Sequence, residues 1–285
     1  MPGTPAGLLA ADVGSRKVTA LVPGRSSALA HPAYSPDGRR LAFFSERRGP
    51  VGSIAVCDLR RDSTSKLELP VSPTVSALSW TKDGTKLLFL GGDSLGYGAD
   101  QKPYLVTVGS GELSRLGGDA AWYWDGAALS PDGSKLALLL QLKYPGDGEE
   151  PERLVVVDPS TDSFERIAGS NELAQIDAVS WSPDGTKIAL SAYRDDDYGD
   201  LYVADVQTKQ VTKLLATRAG ERSPAWSPDG RWIAFERSPE GSARPTSIWR
   251  VDVITGAARR VTWGSSDVSP AWSPDGTRIA FVRGR

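Results

Sequence analysis

Short apolar runs of alternating bulk recur along the chain, each just after a polar turn. Leu41-Ala42-Phe43, Ile188-Ala189-Leu190, Ile233-Ala234-Phe235 and Ile279-Ala280-Phe281 all read large, small, large. A short run that is apolar at consecutive positions predicts a strand buried on both faces. The bulky side chains would fill one sheet interface, and alanine would let the other sheet approach. The turn before these strands is SPDG at Ser35, Ser130, Ser182, Ser227 and Ser273, with TKDG at Thr81. Proline presets φ for a type I turn, aspartate caps local amides, and glycine takes the positive φ that follows. Each turn therefore closes a hairpin. The strand ahead of it carries Trp80, Trp181, Trp226 or Trp272 four residues before the glycine, with Tyr34 and Leu129 in the other two copies. A third strand comes about 20 residues past the glycine, counted as one strand plus its connection. It ends in Asp58, Asp158, Asp205 or Asp252, with Val108 in the second copy. A polar turn and a more polar fourth strand follow, and the aspartate is expected to cap that turn.

The turn glycines fall at 38, 84, 133, 185, 230 and 276, spaced 46, 49, 52, 45 and 46 residues apart. Periods in the forties with strand-like content predict a β-propeller. The last copy ends at Arg285 after two strands. The missing pair is supplied by Leu8 to Asp12 and Val18 to Val22, so both ends of the chain close one blade. This predicts an all-β, six-bladed propeller with four antiparallel strands per blade and no convincing helix. One domain, 1–285, would hold blades at about 31–70, 75–117, 126–168, 177–215, 222–263, and 268–285 plus 7–22. Gly91 to Pro103 and Pro145 to Pro151 read as loop insertions.

Composition narrows the functional classes. The chain has 285 residues, with 33 basic and 35 acidic side chains and a net charge of −2. That balance argues against bulk nucleic-acid or anionic-membrane binding. One cysteine excludes an internal disulfide, and one histidine excludes a site that needs two. No apolar run reaches the roughly 20 residues of a membrane helix. A monomer is expected. No leader is visible at the N-terminus as written, so the compartment is cytoplasmic if the chain is native as written. It is periplasmic or extracellular if the chain was cut from a precursor.

The pattern W-S-P-D-G-x-x-I-A-F, followed by an I-W-x-x-D strand and a T-G-like turn, resembles the TolB-type propeller repeat over about residues 7 to 285. The resemblance implies a bacterial, often periplasmic, protein-binding module. TolB-like propellers also occur in prolyl-oligopeptidase-like enzymes and oligogalacturonate lyases. The chain lacks the α/β domain that precedes the propeller in TolB. It also lacks a hydrolase domain or a G-x-S-x-G elbow. A non-enzymatic module that binds a protein, a peptide or a small ligand at the channel mouth is the leading reading. An enzyme, or an accessory propeller of one, is the alternative.

Candidate site residues follow from loop positions. His31 precedes an innermost strand and Arg222 another, so both should reach the channel. Trp122, Tyr123 and Trp124 fall outside the repeat, in a connection between blades, and large loop aromatics either plug a channel or mark a contact surface. The stretch Glu46-Arg47-Arg48, with two arginines to one glutamate, and Arg244 read as basic, and Asp147, Glu149, Glu150 and Glu152 as acidic, on the rim of the same mouth. Asp195, Asp197 and Asp200 offer loosely spaced oxygen ligands for calcium, but they do not fit a full EF-hand loop, and a solvated loop between the second and third strands is the simpler reading. Cys57 sits where other copies have small apolar residues and reads as a packed, inert thiol. The glycine-rich stretch 91–98 lacks the helix a phosphate cradle needs.

Overall fold

The computed structural model describes residues 6–23, 29–48, 51–73, 78–92, 101–116, 123–141, 154–161, 163–173, 175–193, 199–215, 217–239, 246–264 and 266–284. They form six antiparallel sheets arranged as propeller blades, each of four strands, with one 3-10 turn at Ala168–Glu172 as helical content. Blade 1 runs Ala30–Tyr34, Arg40–Arg48, Val51–Asp58 and Ser63–Lys66. Blade 4 runs Gln175–Trp181, Lys187–Tyr193, Asp200–Asp205 and Val211–Leu215. Blade 5 runs Gly220–Trp226, Trp232–Ser238, Ser247–Asp252 and Ala258–Arg260. Blade 6 is built from both ends of the chain. Asp267–Trp272 and Arg278–Arg283 pair onward to Gly7–Asp12 and Val18–Pro23, with Leu9 opposite Phe281. Blade 2 differs in that its innermost strand is described in two pieces, Ser72–Pro73 and Ser79–Trp80.

The hydrophobic pattern sorts each strand between two neighbours. Six apolar clusters lie in the six blade interfaces. Leu41 and Phe43 pack toward blade 6, whereas Ala42 and Phe44 pack toward blade 2. Cys57 is buried in the first of these clusters, as its small apolar counterparts require. A second set of links runs around the channel. The indole N–H of Trp80, Trp181 and Trp272 each donates to a backbone carbonyl of the preceding blade, at Ala33, Ala128 and Ala225, all at 3.0 Å.

The turns are polar networks of one design. In blade 1 the Ser35 hydroxyl donates to Asp37 Oδ1 at 2.6 Å, and that oxygen accepts the Arg39 N–H at 3.0 Å. The Arg40 N–H donates to Ser35 Oγ, and Gly38 adopts φ 68°. Thr81 takes the serine role in blade 2, so the proline is dispensable there. Hydrogen bonds to the carboxylates hold Asp83 and Asp132 down at about 2. Asp12, Asp58, Asp158, Asp205 and Asp252 cap the outer turns by accepting backbone N–H groups. In blade 2 this place belongs to Thr107, which faces Lys86, and not to Val108.

Candidate functional site

The six innermost strands converge on a central channel of about 470 Å³. It is lined from every blade, by His31 and Ala33, Ser79, Ala127, Asp177 and Ser180, Ser223, and Ser269 among others. These strands are not straight. The ladder with the second strand slips between Ala30 and Ala33, Trp124 and Gly126, Ile176 and Ala178, Arg222 and Ala225, and Val268 and Ala271. A bulge turns the chain and re-aims a side chain. In blades 1, 5 and 6 the bulge holds a non-glycine residue at positive φ just before a proline: His31 at 46°, Ser223 at 51° and Ser269 at 55°. Such backbone is costly and persists only where the surroundings enforce it.

The enforcement is visible in blades 5 and 6. Glu236, in the second strand of blade 5, accepts the Ser269 N–H at 2.7 Å and a hydrogen bond from the Ser223 side chain. One carboxylate thus fastens two adjacent bulges. Burial pushes its pKa up, against the pull of Ser269, Ser223 and Arg222.

A polar chain continues into blade 4. Arg222 lies over the Tyr193 ring, 5.6 Å from its centroid. Tyr193 is hydrogen-bonded to Asp177, and Gln175 Nε2 donates to Asp177 Oδ1 at 3.1 Å. Burial raises the Asp177 pKa, opposed by Tyr193, Arg222 and Gln175. The Arg222 Nε is buried and has no hydrogen-bond partner among the described residues. Beside it Glu221 is fully buried. Thr217 donates to its Oε1 at 2.6 Å and Arg237 Nε stands 3.4 Å from that oxygen, while Oε2 has no partner among the described residues. Desolvation pushes Glu221 up to about 7.

Acid, base and phenol are therefore interleaved on the inner strands of blades 4 and 5, beside the channel that Asp177 lines. An unused buried N–H is a demand for an acceptor, because an unpaired polar group costs roughly 1–3 kcal/mol. The arrangement suits a ligand with alternating donors and acceptors, as an extended polypeptide backbone has.

The expected site residues fare unequally. His31 lines the channel, edge-on to Phe44 at 6.2 Å between ring centroids. Arg222 stands on the innermost strand of blade 5 and joins the polar chain. Tyr123 and Trp124 belong to the innermost strand of blade 3, Tyr123–Leu129, opposite Gln141 and Leu140. They are not in the connecting loop, because the bulge lets pairing continue past Gly126. Trp122 lies outside the described residues, as do Asp195, Asp197, Arg244 and the acidic residues at 147, 149, 150 and 152. Asp200 opens the third strand of blade 4, buried, with Lys213 Nζ 2.7 Å from its Oδ2. That carboxylate is committed to a lysine on the outer strand of its own blade. The sequence reading missed Asp177, Tyr193 and Glu236. Two signals were available: the aligned tripeptides His31-Pro32-Ala33, Ser223-Pro224-Ala225 and Ser269-Pro270-Ala271, and an acidic residue inside an otherwise apolar innermost strand.

Residues 147–285 match the TolB β-propeller domain family. An uncharacterised protein of Agrobacterium fabrum is 28% identical over 190 residues, covering 65% of this chain and 57% of that protein. The uncharacterised peptidase YuxL of Bacillus subtilis is 25% identical over 235 residues, 76% of this chain and 31% of the peptidase. The chain thus spans little more than half of the first relative and about a third of the second. The solved structure of a TolB-type protein from Agrobacterium tumefaciens superposes with a TM-score of 0.78 at 21% identity, covering 99% of both chains.

Proposed function

We propose that this TolB-like six-bladed β-propeller is a binding module that takes an extended protein or peptide segment at the channel mouth bounded by blades 4, 5, 6 and 1. The observation that supports it most is the chain Asp177, Tyr193, Arg222 and Glu236, in which the buried Nε of Arg222 has no hydrogen-bond partner among the described residues. The bulged residues His31, Ser223 and Ser269, held at positive φ, line the same channel. No helix among the described residues is long and apolar enough to cross a membrane.

Selection of short random peptides on the purified protein, followed by calorimetry, tests this reading. Enriched peptides should bind with Kd near the micromolar range, about −8 kcal/mol. Arg222→Ala and Asp177→Ala should each weaken binding about tenfold or more, whereas Asp132→Asn at the opposite end should not. Undiminished binding to both channel variants would refute the site.

A second reading is favoured by the peptidase relative, most of whose length lies outside the aligned propeller. There the propeller would screen substrates for a catalytic domain. Peptide binding that survives only with such a domain attached would support that reading over the first.

A further inference from the structure

The outer flank where blade 5 meets blade 6 departs from the repeat in a way the fold does not require. Opposite the central residue of the second strand, the other third strands carry aliphatic side chains. Val56 faces Ala42, Leu105 faces Leu88, Val156 faces Ala137, Val203 faces Ala189 and Ala10 faces Ala280. Blade 5 sets Arg250 against Ala234. Where Arg40, Lys86, Lys187 and Arg278 open the second strands of other blades, blade 5 has Trp232. The aspartate facing that position keeps a cation regardless. Arg231 Nε lies 3.0 Å from Asp252 Oδ2, as Lys187 Nζ lies 3.1 Å from Asp205 Oδ2 in blade 4. Neutralising Asp252 therefore does not explain the exchange. Its product is a guanidinium lying over the Trp232 ring, 4.2 Å from the centroid.

More positive charge gathers at this place. Arg259 is directly across the strand from Arg250, a like-charge pairing that weakens a sheet. Arg16, reaching over from blade 6, covers the ring of Trp263 at 5.2 Å, and Trp263 is itself 56% exposed. Burial first, then the charges of Arg259, Arg16 and Arg231, push the Arg250 pKa below its ordinary value, with Asp229 opposing. Among the described residues no carboxylate ion-pairs with Arg16, Arg250 or Arg259. A guanidinium held flat on an indole keeps its N–H edge free for a bidentate acceptor. The cluster stores repulsion that an incoming row of carboxylates would relieve.

We propose that this flank docks a short acidic segment of a partner protein, its carboxylates held by Arg16, Arg250 and Arg259 and an apolar side chain resting on Trp263. Arginine and tryptophan are the side chains that most often dominate protein interfaces. The charge of −2 on the whole chain favours a short segment over a long polyanion or an anionic bilayer, whose remaining charge would face the rest of the surface. The flank lies outside the channel, so this inference does not depend on the function proposed above.

The test is fluorescence anisotropy with a labelled glutamate-rich peptide of about ten residues, which at roughly 3.3 Å per residue is long enough to cross the flank. Saturable binding is expected at low salt, weakening as the screening length shrinks. Arg250→Val with Arg259→Gln should weaken it about tenfold or more. Arg250→Val installs the side-chain type of the other blades, so the double variant should melt no earlier than the parent. Arg60→Gln with Arg61→Gln removes the same charge at blade 1 and should leave binding unchanged. Absence of saturable binding, or undiminished binding to the Arg250 and Arg259 double variant, would overturn the proposal. So would tighter binding of the parent to an oligothymidylate of equal length or to phosphatidylglycerol vesicles, which would assign the flank to nucleic acid or lipid.

Discussion

Two tryptophans in equivalent positions should respond oppositely to the same substitution. Trp181 and Trp226 end the innermost strands of blades 4 and 5 and are almost equally buried, at 7% and 9% exposure. The Trp181 indole N–H donates to the Ala128 carbonyl at 3.0 Å. The Trp226 indole N–H is buried without a partner among the described residues. Blade 4 has Ser180 at the place of the accepting alanines, and its hydroxyl takes the backbone N–H of Trp226 instead, at 3.2 Å. Replacing either tryptophan by phenylalanine removes the same volume, so the packing loss is similar in both. Trp181→Phe also strands the Ala128 carbonyl, at a cost of about 1–3 kcal/mol, whereas Trp226→Phe removes an orphan donor and regains a comparable amount. The two variants should therefore differ by about 2 kcal/mol or more in favour of Trp226→Phe, or roughly 3 °C or more in melting temperature for a chain of this size. Thermal and urea unfolding of the two variants side by side measures it. Equal melting temperatures, or an earlier transition in Trp226→Phe, would refute the idea that the ring of indole-to-carbonyl bonds separates these positions.

Three further outcomes are expected. The folded pKa of Glu221, about 7, lies above the ordinary carboxyl value of 4.5, so the native state holds the extra proton between them. Stability should thus fall as pH rises from about 4.5 to about 7 and stay flatter in Glu221→Gln, as followed by urea midpoints across that range. Asp267→Ala would leave Arg283 buried without the carboxylate that it meets at 2.6 and 2.7 Å, and should lower unfolding free energy by about 3–5 kcal/mol. Gly185→Ala, at φ 72°, should cost roughly 1 kcal/mol or more in the same assay, and Pro183→Ala less, since Lys82 already replaces that proline in blade 2.

The architecture was legible because a propeller repeats its local chemistry. Every SPDG turn closes its hairpin by short-range hydrogen bonds that need only four or five neighbouring residues, so spacing alone marks the strands. The large-small-large runs declare burial on both faces, which only stacked blades provide. The completion of blade 6 from both termini followed from counting strands. The site was not legible in this way. Asp177, Tyr193, Arg222 and Glu236 come from four strands of two blades, and Glu236 reaches on to Ser269 in a third blade. Their meeting depends on bulges that shift each innermost strand by one residue relative to its partner, a register change with no compositional mark. The same bulging carried Tyr123 and Trp124 out of an expected loop and into a strand. Likewise Asp200 reads as one acid in an acidic loop until the outer strand of its blade brings Lys213 against it. Periodicity encodes which faces are buried, because burial is a property of neighbours in sequence. Which polar groups are left to bind something is a property of neighbours in space, and the closed ring of blades decides it.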